Sequence, residues 1–249
     1  MISREDRGSV AVLRMEHGKV NAIDVDLFTE LRGQLEEVER SATAVVLTGA
    51  GKAFSAGVDL FRVLEGGKDY LQRFLPVLML GLEKLFLFPK PVVAAINGHA
   101  IAGGCIMACA CDYRVGAESD ALMGVPELLV GVPFPPLALE IARSAVSHSH
   151  LQEIVYTGRY YSMEQALRRG MVDETVSAEA LLTRACEVAE QFGNIPSRAF
   201  QIAKRQIRQP YVDHAKRFGE SDDEILKQWS ASETHEVIRK YLQKTVGKR

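Results

Sequence analysis

Apolar and polar positions along the chain fall into short buried runs and longer helical stretches. From Ser9 to Met15, apolar positions including Val10, Val12 and Met15 predict a first strand. From Asp24 to Arg40, Leu27, Leu31, Leu35 and Val38 recur at helical spacing, with Asp24 placed to cap the first turn. From Thr43 to Thr48 a β-branched apolar run ends at Gly49-Ala50-Gly51, which predicts a buried strand and then a loop. A long amphipathic helix is expected from Asp69 to Phe88, stopped by Pro89 and Pro91. Short buried strands are expected from Val92 to Ile96 and from Asp112 to Val115. Beyond about residue 135 the pattern becomes helical: Leu137 to Ala145, His148 to Tyr156, Ser162 to Arg169, Glu179 to Phe192, Ser197 to Ile207, and from Asp213 onward.

Buried strands alternating with helices indicate right-handed β-α-β units on a largely parallel, doubly wound sheet. The helical C-terminal part then packs on that core or on a neighbouring subunit. No internal repeat or long linker interrupts the chain. From Pro91 to Cys111 there is no Asp, Glu, Lys or Arg, a length sufficient to span a bilayer. Asn97-Gly98-His99 and Gly103-Gly104 punctuate it into strand, turn and helix, so a membrane span is not expected.

Composition narrows the function classes. With 249 residues, 47% hydrophobic, the chain is too apolar for disorder and long enough for a large core. A formal net charge of -2 argues against a nucleic-acid binder, which needs a basic face. The charged N-terminus lacks the apolar stretch of a secretory signal. Cys105, Cys109, Cys111 and Cys186 read as reduced thiols of a cytoplasmic protein, without the pairing expected of a zinc site.

Several chemical signatures fail. Gly51-Lys52 lacks the upstream glycine of a phosphate-binding loop, and a GxGxxG from Gly49 fails at Phe54. Ser55 lacks the first glycine of a nucleophile elbow. His148-Ser149-His150 reads as a solvated helix cap. Two small-residue loops remain: 51–60 (GKAFSAGVDL) and 97–105 (NGHAIAGGC). Each joins a strand to a helix, where exposed N–H groups favour negative charge. Two such groups aimed at one oxygen make an oxyanion hole; two tight turns in a packed core fit the spacing equally well.

Ordered segments now identify a resemblance. KVNAID (19–24), VVLTGAGKAFSAGVDL (45–60), KPVVAAINGHAIAGGC (90–105), CDYRV (111–115), GVPELLVGVPF (124–134) and YTGRYYSMEQALRRGMVDETV (156–176) resemble the crotonase, or enoyl-CoA hydratase/isomerase, superfamily. The resemblance implies an α/β crotonase-like spiral of β-β-α turns over residues 1–195 and a helical C-terminal trimerisation region over 196–249. It implies an acyl-CoA thioester substrate, no separate cofactor because coenzyme A belongs to the substrate, and a homo-oligomer, either a trimer or a dimer of trimers.

Residue by residue, the resemblance implies that the backbone N–H groups of Val58 and Gly103 hold the thioester oxygen. Lys19 and Val20, with Ala56, Gly57, Asp59 and Leu60, would flank coenzyme A, and Gly104 and Phe134 would border the substrate. Lys240 and Lys244 would reach coenzyme A phosphates across a subunit boundary, although with Arg239, Lys248 and Arg249 they also read as a solvated tail. Hydratases of the superfamily use two glutamates. The position of the first is Ile106 here, and the second is retained as Glu127. An apolar residue after Gly-Gly-Cys with one later glutamate is similar to the superfamily's monofunctional 3-enoyl-CoA to 2-enoyl-CoA isomerases. The expected chemistry is a double-bond shift by a single base, Glu127. The alternatives are hydration assisted by a second acid, for which Glu140 is the candidate, and a catalytically silent acyl-CoA-binding homologue.

Overall fold

The structure is a computed structural model that describes residues 1–218 and 222–245. It opens with an antiparallel hairpin, β1 (Ile2–Arg7) and β2 (Val10–Met15), turned at Gly8. The hairpin's first strand has no counterpart in the pattern reading. It is a charged edge in which only Ile2 is buried, so it carries no apolar alternation. Helix α1 (Val25–Ser41) follows, and Asp24 caps it by accepting the Leu27 N–H at 2.8 Å.

Three consecutive β-β-α turns then build the core. They are β3 (Ala44–Gly49), β4 (Ala53–Ser55) and α2 (Leu60–Phe86); β5 (Val92–Ile96), β6 (His99–Ile101) and α3 (Gly103–Cys109); and β7 (Tyr113–Glu118), β8 (Leu122–Gly124) and α4 (Glu127–Val130). Helices α5 (Pro136–Ala145), α6 (Leu151–Thr157) and α7 (Met163–Arg168) come next, the last preceded by β9 (Tyr161–Ser162). After β10 (Glu174–Ser177) the chain is helical: α8 (Leu181–Gly193), α9 (Ser197–Lys216), α10 (Asp222–Trp229) and α11 (Ser232–Thr245).

The first strand of each turn enters a six-stranded sheet of order β1-β2-β3-β5-β7-β10, and the second enters a four-stranded sheet, β4-β6-β8-β9. The chain therefore spirals between two sheets. This corrects the doubly wound sheet read from periodicity and agrees with the spiral that the resemblance implied. The short strands β4, β6 and β8 have three residues each, too few to show a period.

The inner strands of the larger sheet, β2, β3 and β5, are buried on both faces, which is why they read as continuous apolar runs. Leu13, Leu47 and Ala94 point to the main core, while Val12, Val46 and Ala95 pack against Leu181, Ala185 and Val188 of α8. Helix α2 starts at Leu60, capped by Asp59, and breaks at Gly67, where φ is 51° and ψ is -141°. The expected start at Asp69 marks only the part beyond that break. Helix α9 runs unbroken past Pro210 to Lys216, where the pattern suggested two helices.

The expected division at residue 195 falls between α8 and α9, yet α9 is tied to the core by buried charge. Asp112 meets Lys204 at 2.7 Å and Arg208 at 3.0 Å, and Arg208 also donates to the Phe86 and Ala110 carbonyls at 2.7 and 2.8 Å. Burial pushes the Lys204 ammonium down to about 8. The charge-free stretch 91–111 forms β5, β6 and α3, and among the described residues no helix is long and apolar enough to cross a membrane.

Candidate active site

The loops 51–60 and 97–105 meet along a seam that only glycine permits. A Cβ on Gly57 would stand 2.6 Å from the Ile101 carbonyl oxygen and 2.9 Å from the Gly103 nitrogen, and Gly57 itself has φ +82°. A Cβ on Gly104 would stand 2.3 Å from the Ser55 oxygen, and one on Gly98 2.1 Å from the Lys52 oxygen. Ala102, just before α3, is held at φ 52°, a conformation that costs a non-glycine residue about 1–3 kcal/mol.

Segment 19–24 braces the first loop. Asn21 donates to the Ala53 and Phe54 carbonyls at 3.1 and 3.2 Å, and Ser55 Oγ donates to the Asn21 carbonyl at 2.7 Å. Ile23 N–H donates to the Gly57 carbonyl at 2.8 Å, while Asp59 N–H donates to the Ile23 carbonyl at 2.9 Å. The Val58 N–H between them, and the Gly103 N–H that opens α3, make no hydrogen bond among the described residues. Ser55 is thus a buried scaffold hydroxyl.

Both of these amides border a narrow apolar slot, which leaves about 60 Å³ for water-sized molecules. Its floor includes Leu78 and Leu82 of α2 and Ile106 of α3. The carboxyl group of Glu127, first residue of α4, is the one acid of the lining. Glu127 is 8% exposed, and its Oε2 has no hydrogen-bond partner among the described residues. Burial in this apolar setting pushes its pKa up to about 8, against a smaller lowering by its own backbone N–H. The slot therefore brings together two unpaired N–H donors and a buried carboxyl whose pKa burial raises to about 8.

Sequence reasoning placed Glu127, Val58, Gly103, Ala56 and Leu60 together, and all five line the slot. Gly57 and Gly104 form the seam, and Asp59 caps α2 by accepting the Phe61 N–H at 3.0 Å. The Val20 carbonyl accepts the Ala56 N–H at 3.0 Å, and Lys19 is exposed in the neighbouring turn.

Two of the expected site residues lie outside the slot. Phe134 and Glu140 line a separate cavity of about 470 Å³. There Glu140 is buried, accepting from Arg143 Nε at 3.0 Å and lying 3.2 Å from His214 Nδ1. Helix α5 turns Ala138 to the slot and Leu139, Glu140 and Arg143 to the other cavity, so Glu140 lies on the side away from Glu127. Lys240 and Lys244 are exposed on α11, while Lys248 and Arg249 lie outside the described residues.

Residues that pattern reading missed come from the C-terminal helices. Trp229 and Tyr241 close the slot, with Trp229 Nε1 donating to the Pro133 carbonyl at 3.0 Å and the Tyr241 hydroxyl 2.6 Å from that of Tyr160. The available signal was weak: a single Trp at the end of a short helix whose other apolar residues are Ile225 and Leu226.

Comparison with known proteins shows the family of the chain. The enoyl-CoA hydratase/isomerase family profile matches residues 5–247. The chain is 28% identical over 255 residues to the mitochondrial enoyl-CoA delta isomerase 1 of Rattus norvegicus, covering 100% of this chain and 88% of that protein. It is 30% identical over 204 residues to a probable enoyl-CoA hydratase of Rhizobium meliloti (strain 1021), covering 82% of this chain and 79% of that one. The crystal structure of human mitochondrial delta3-delta2-enoyl-CoA isomerase superimposes with a TM-score of 0.92 at 25% identity, covering 100% of this chain and 99% of that one.

Proposed function

This chain belongs to the enoyl-CoA hydratase/isomerase family, and we propose that it moves the double bond of a 3-enoyl-CoA thioester to the 2-position, with Glu127 as the one proton shuttle. The thioester oxygen sits between the N–H groups of Val58 and Gly103. Those donors favour the enolate, in which the negative charge develops on that oxygen. The Glu127 carboxylate removes a proton from the α carbon, the electron pair passing into the dienolate. The resulting carboxylic acid returns the proton to the γ carbon, leaving the double bond conjugated with the carbonyl and the base restored.

The observation that carries this reading is the pairing of Glu127 with Ile106 in one slot. Ile106 is 1% exposed and cannot hold a water or transfer a proton. Glu140, the candidate second acid for hydration, faces the other cavity.

The assay is conjugation of 3-hexenoyl-CoA, followed by absorbance of the conjugated thioester. Glu127→Gln is expected to lose about 10²–10⁴-fold in turnover while still binding hexanoyl-CoA. Undiminished turnover in that variant, or faster hydration of crotonyl-CoA by the unaltered protein, overturns the assignment. The proposal includes a trimer or dimer of trimers, supported by exposed Ile202 and Ile207 on α9. It includes a cytoplasmic setting, supported by the buried free thiols Cys105, Cys109 and Cys111.

A further inference from the structure

We propose that Trp229 is the end wall of the acyl slot and restricts this protein to short-chain acyl-CoA thioesters, an inference that rests on the acyl-CoA reading above. The slot and the second cavity are separated by a partition one residue thick. Val132 lines the slot and Pro133 the second cavity; Ala138 lines the slot and Leu139 the second cavity; Trp229 lines the slot and Gln228 the second cavity. Chain neighbours thus face opposite compartments. Trp229 is the bulkiest piece of this wall, 2% exposed, and its indole is pinned by the hydrogen bond to Pro133 across the partition.

Volumes decide what fits. The slot holds about 60 Å³ and the solvent-open cavity on the far side of the wall about 470 Å³. An engineered apolar cavity of about 150 Å³ binds benzene, and the slot offers less than half of that, which leaves room for only a few carbons beyond the reacting ones. The compartment behind offers apolar surface from Phe134, Leu139 and Ile225 to a longer chain, if the indole is removed. Trp229 comes from α10, an element separate from the loops that carry Val58 and Gly103, so the wall can change without altering those loops.

The test uses saturated acyl-CoA ligands, which have no double bond to move and so separate this inference from the isomerase assignment. Calorimetric binding of hexanoyl-CoA and lauroyl-CoA is measured on the unaltered protein, Trp229→Phe and Trp229→Ala. We expect the unaltered protein to favour hexanoyl-CoA by at least about tenfold, which is about 1.4 kcal/mol. Trp229→Phe keeps that preference because a ring still fills the wall, and Trp229→Ala reverses it. Equal binding of the two ligands by the unaltered protein overturns the inference whatever the variants do. An unchanged ratio in a folded Trp229→Ala protein overturns it as well. Loss of isomerisation with the chain-length preference intact would sink the isomerase assignment and leave the wall standing. Failure to bind either ligand removes both.

Discussion

Gly57 and Gly103 stand so close that a Cβ on the first would lie 2.9 Å from the backbone nitrogen of the second. The spacing of the two unpaired amides is therefore set by the absence of a side chain. Gly57→Ala forces the loops apart, because the new methyl group meets the Ile101 oxygen at 2.6 Å and Gly57 has φ +82°. We expect a destabilisation of about 1–3 kcal/mol. Turnover should fall by about 10²–10³-fold, the cost of removing one oxyanion donor. Thermal unfolding and steady-state kinetics check both; an active variant of normal stability would show that the amides need no such spacing.

Activity should depend on pH through Glu127. The base is competent only when ionised, and burial holds its pKa up at about 8. Accordingly kcat/KM should rise with pH and level off above about 8, and a profile already flat at pH 6 would contradict the desolvated carboxyl.

The same burial affects stability. With a folded pKa raised from 4.5 to about 8, this group stabilises the fold fully below 4.5. That contribution is lost as pH rises towards 8, because the unfolded chain releases the proton first. Glu127→Gln removes the dependence, so the variant should gain on the unaltered protein between these pH values. The gain should reach on the order of 5 kcal/mol above pH 8. Urea unfolding across that range measures it, and a pH-independent difference would argue against a neutral Glu127 in the fold.

Asp112 is the counter-charge for two buried cations, Lys204 at 2.7 Å and Arg208 at 3.0 Å. Asp112→Asn leaves both in the interior without it and should cost about 3–5 kcal/mol. Since both cations lie on α9, limited proteolysis should open the C-terminal helices first. A variant with unchanged unfolding would show that the carbonyl bonds of Arg208 suffice to hold α9.

Much of the scaffold was legible because it is written in local periodicity. Asp24 caps α1 as its position before Leu27 suggested, and the apolar runs at 44–49 and 92–96 are strands buried on both faces. The glycine loops were equally visible, and Gly57, Gly98 and Gly104 are each required by a backbone approach under 3.0 Å. Strand β1 was hidden by its charges, the three-residue strands by their length, and the first part of α2 by the break at Gly67.

Residue order alone thus specified the repeating elements, the small-residue loops and an acid in an apolar neighbourhood, all properties of side chains within a few positions of each other. Which side chains share a compartment was a matter of long-range packing. Glu127 lines the same slot as the amides of Val58 and Gly103, whereas Glu140, on a helix just beyond, lines another cavity with Arg143 and His214. Trp229 and Tyr241 join the slot from helices more than a hundred positions beyond Gly103, because α10 and α11 fold back over the core. A cavity wall is assembled from whichever elements the chain brings into contact, and no local pattern records that assembly.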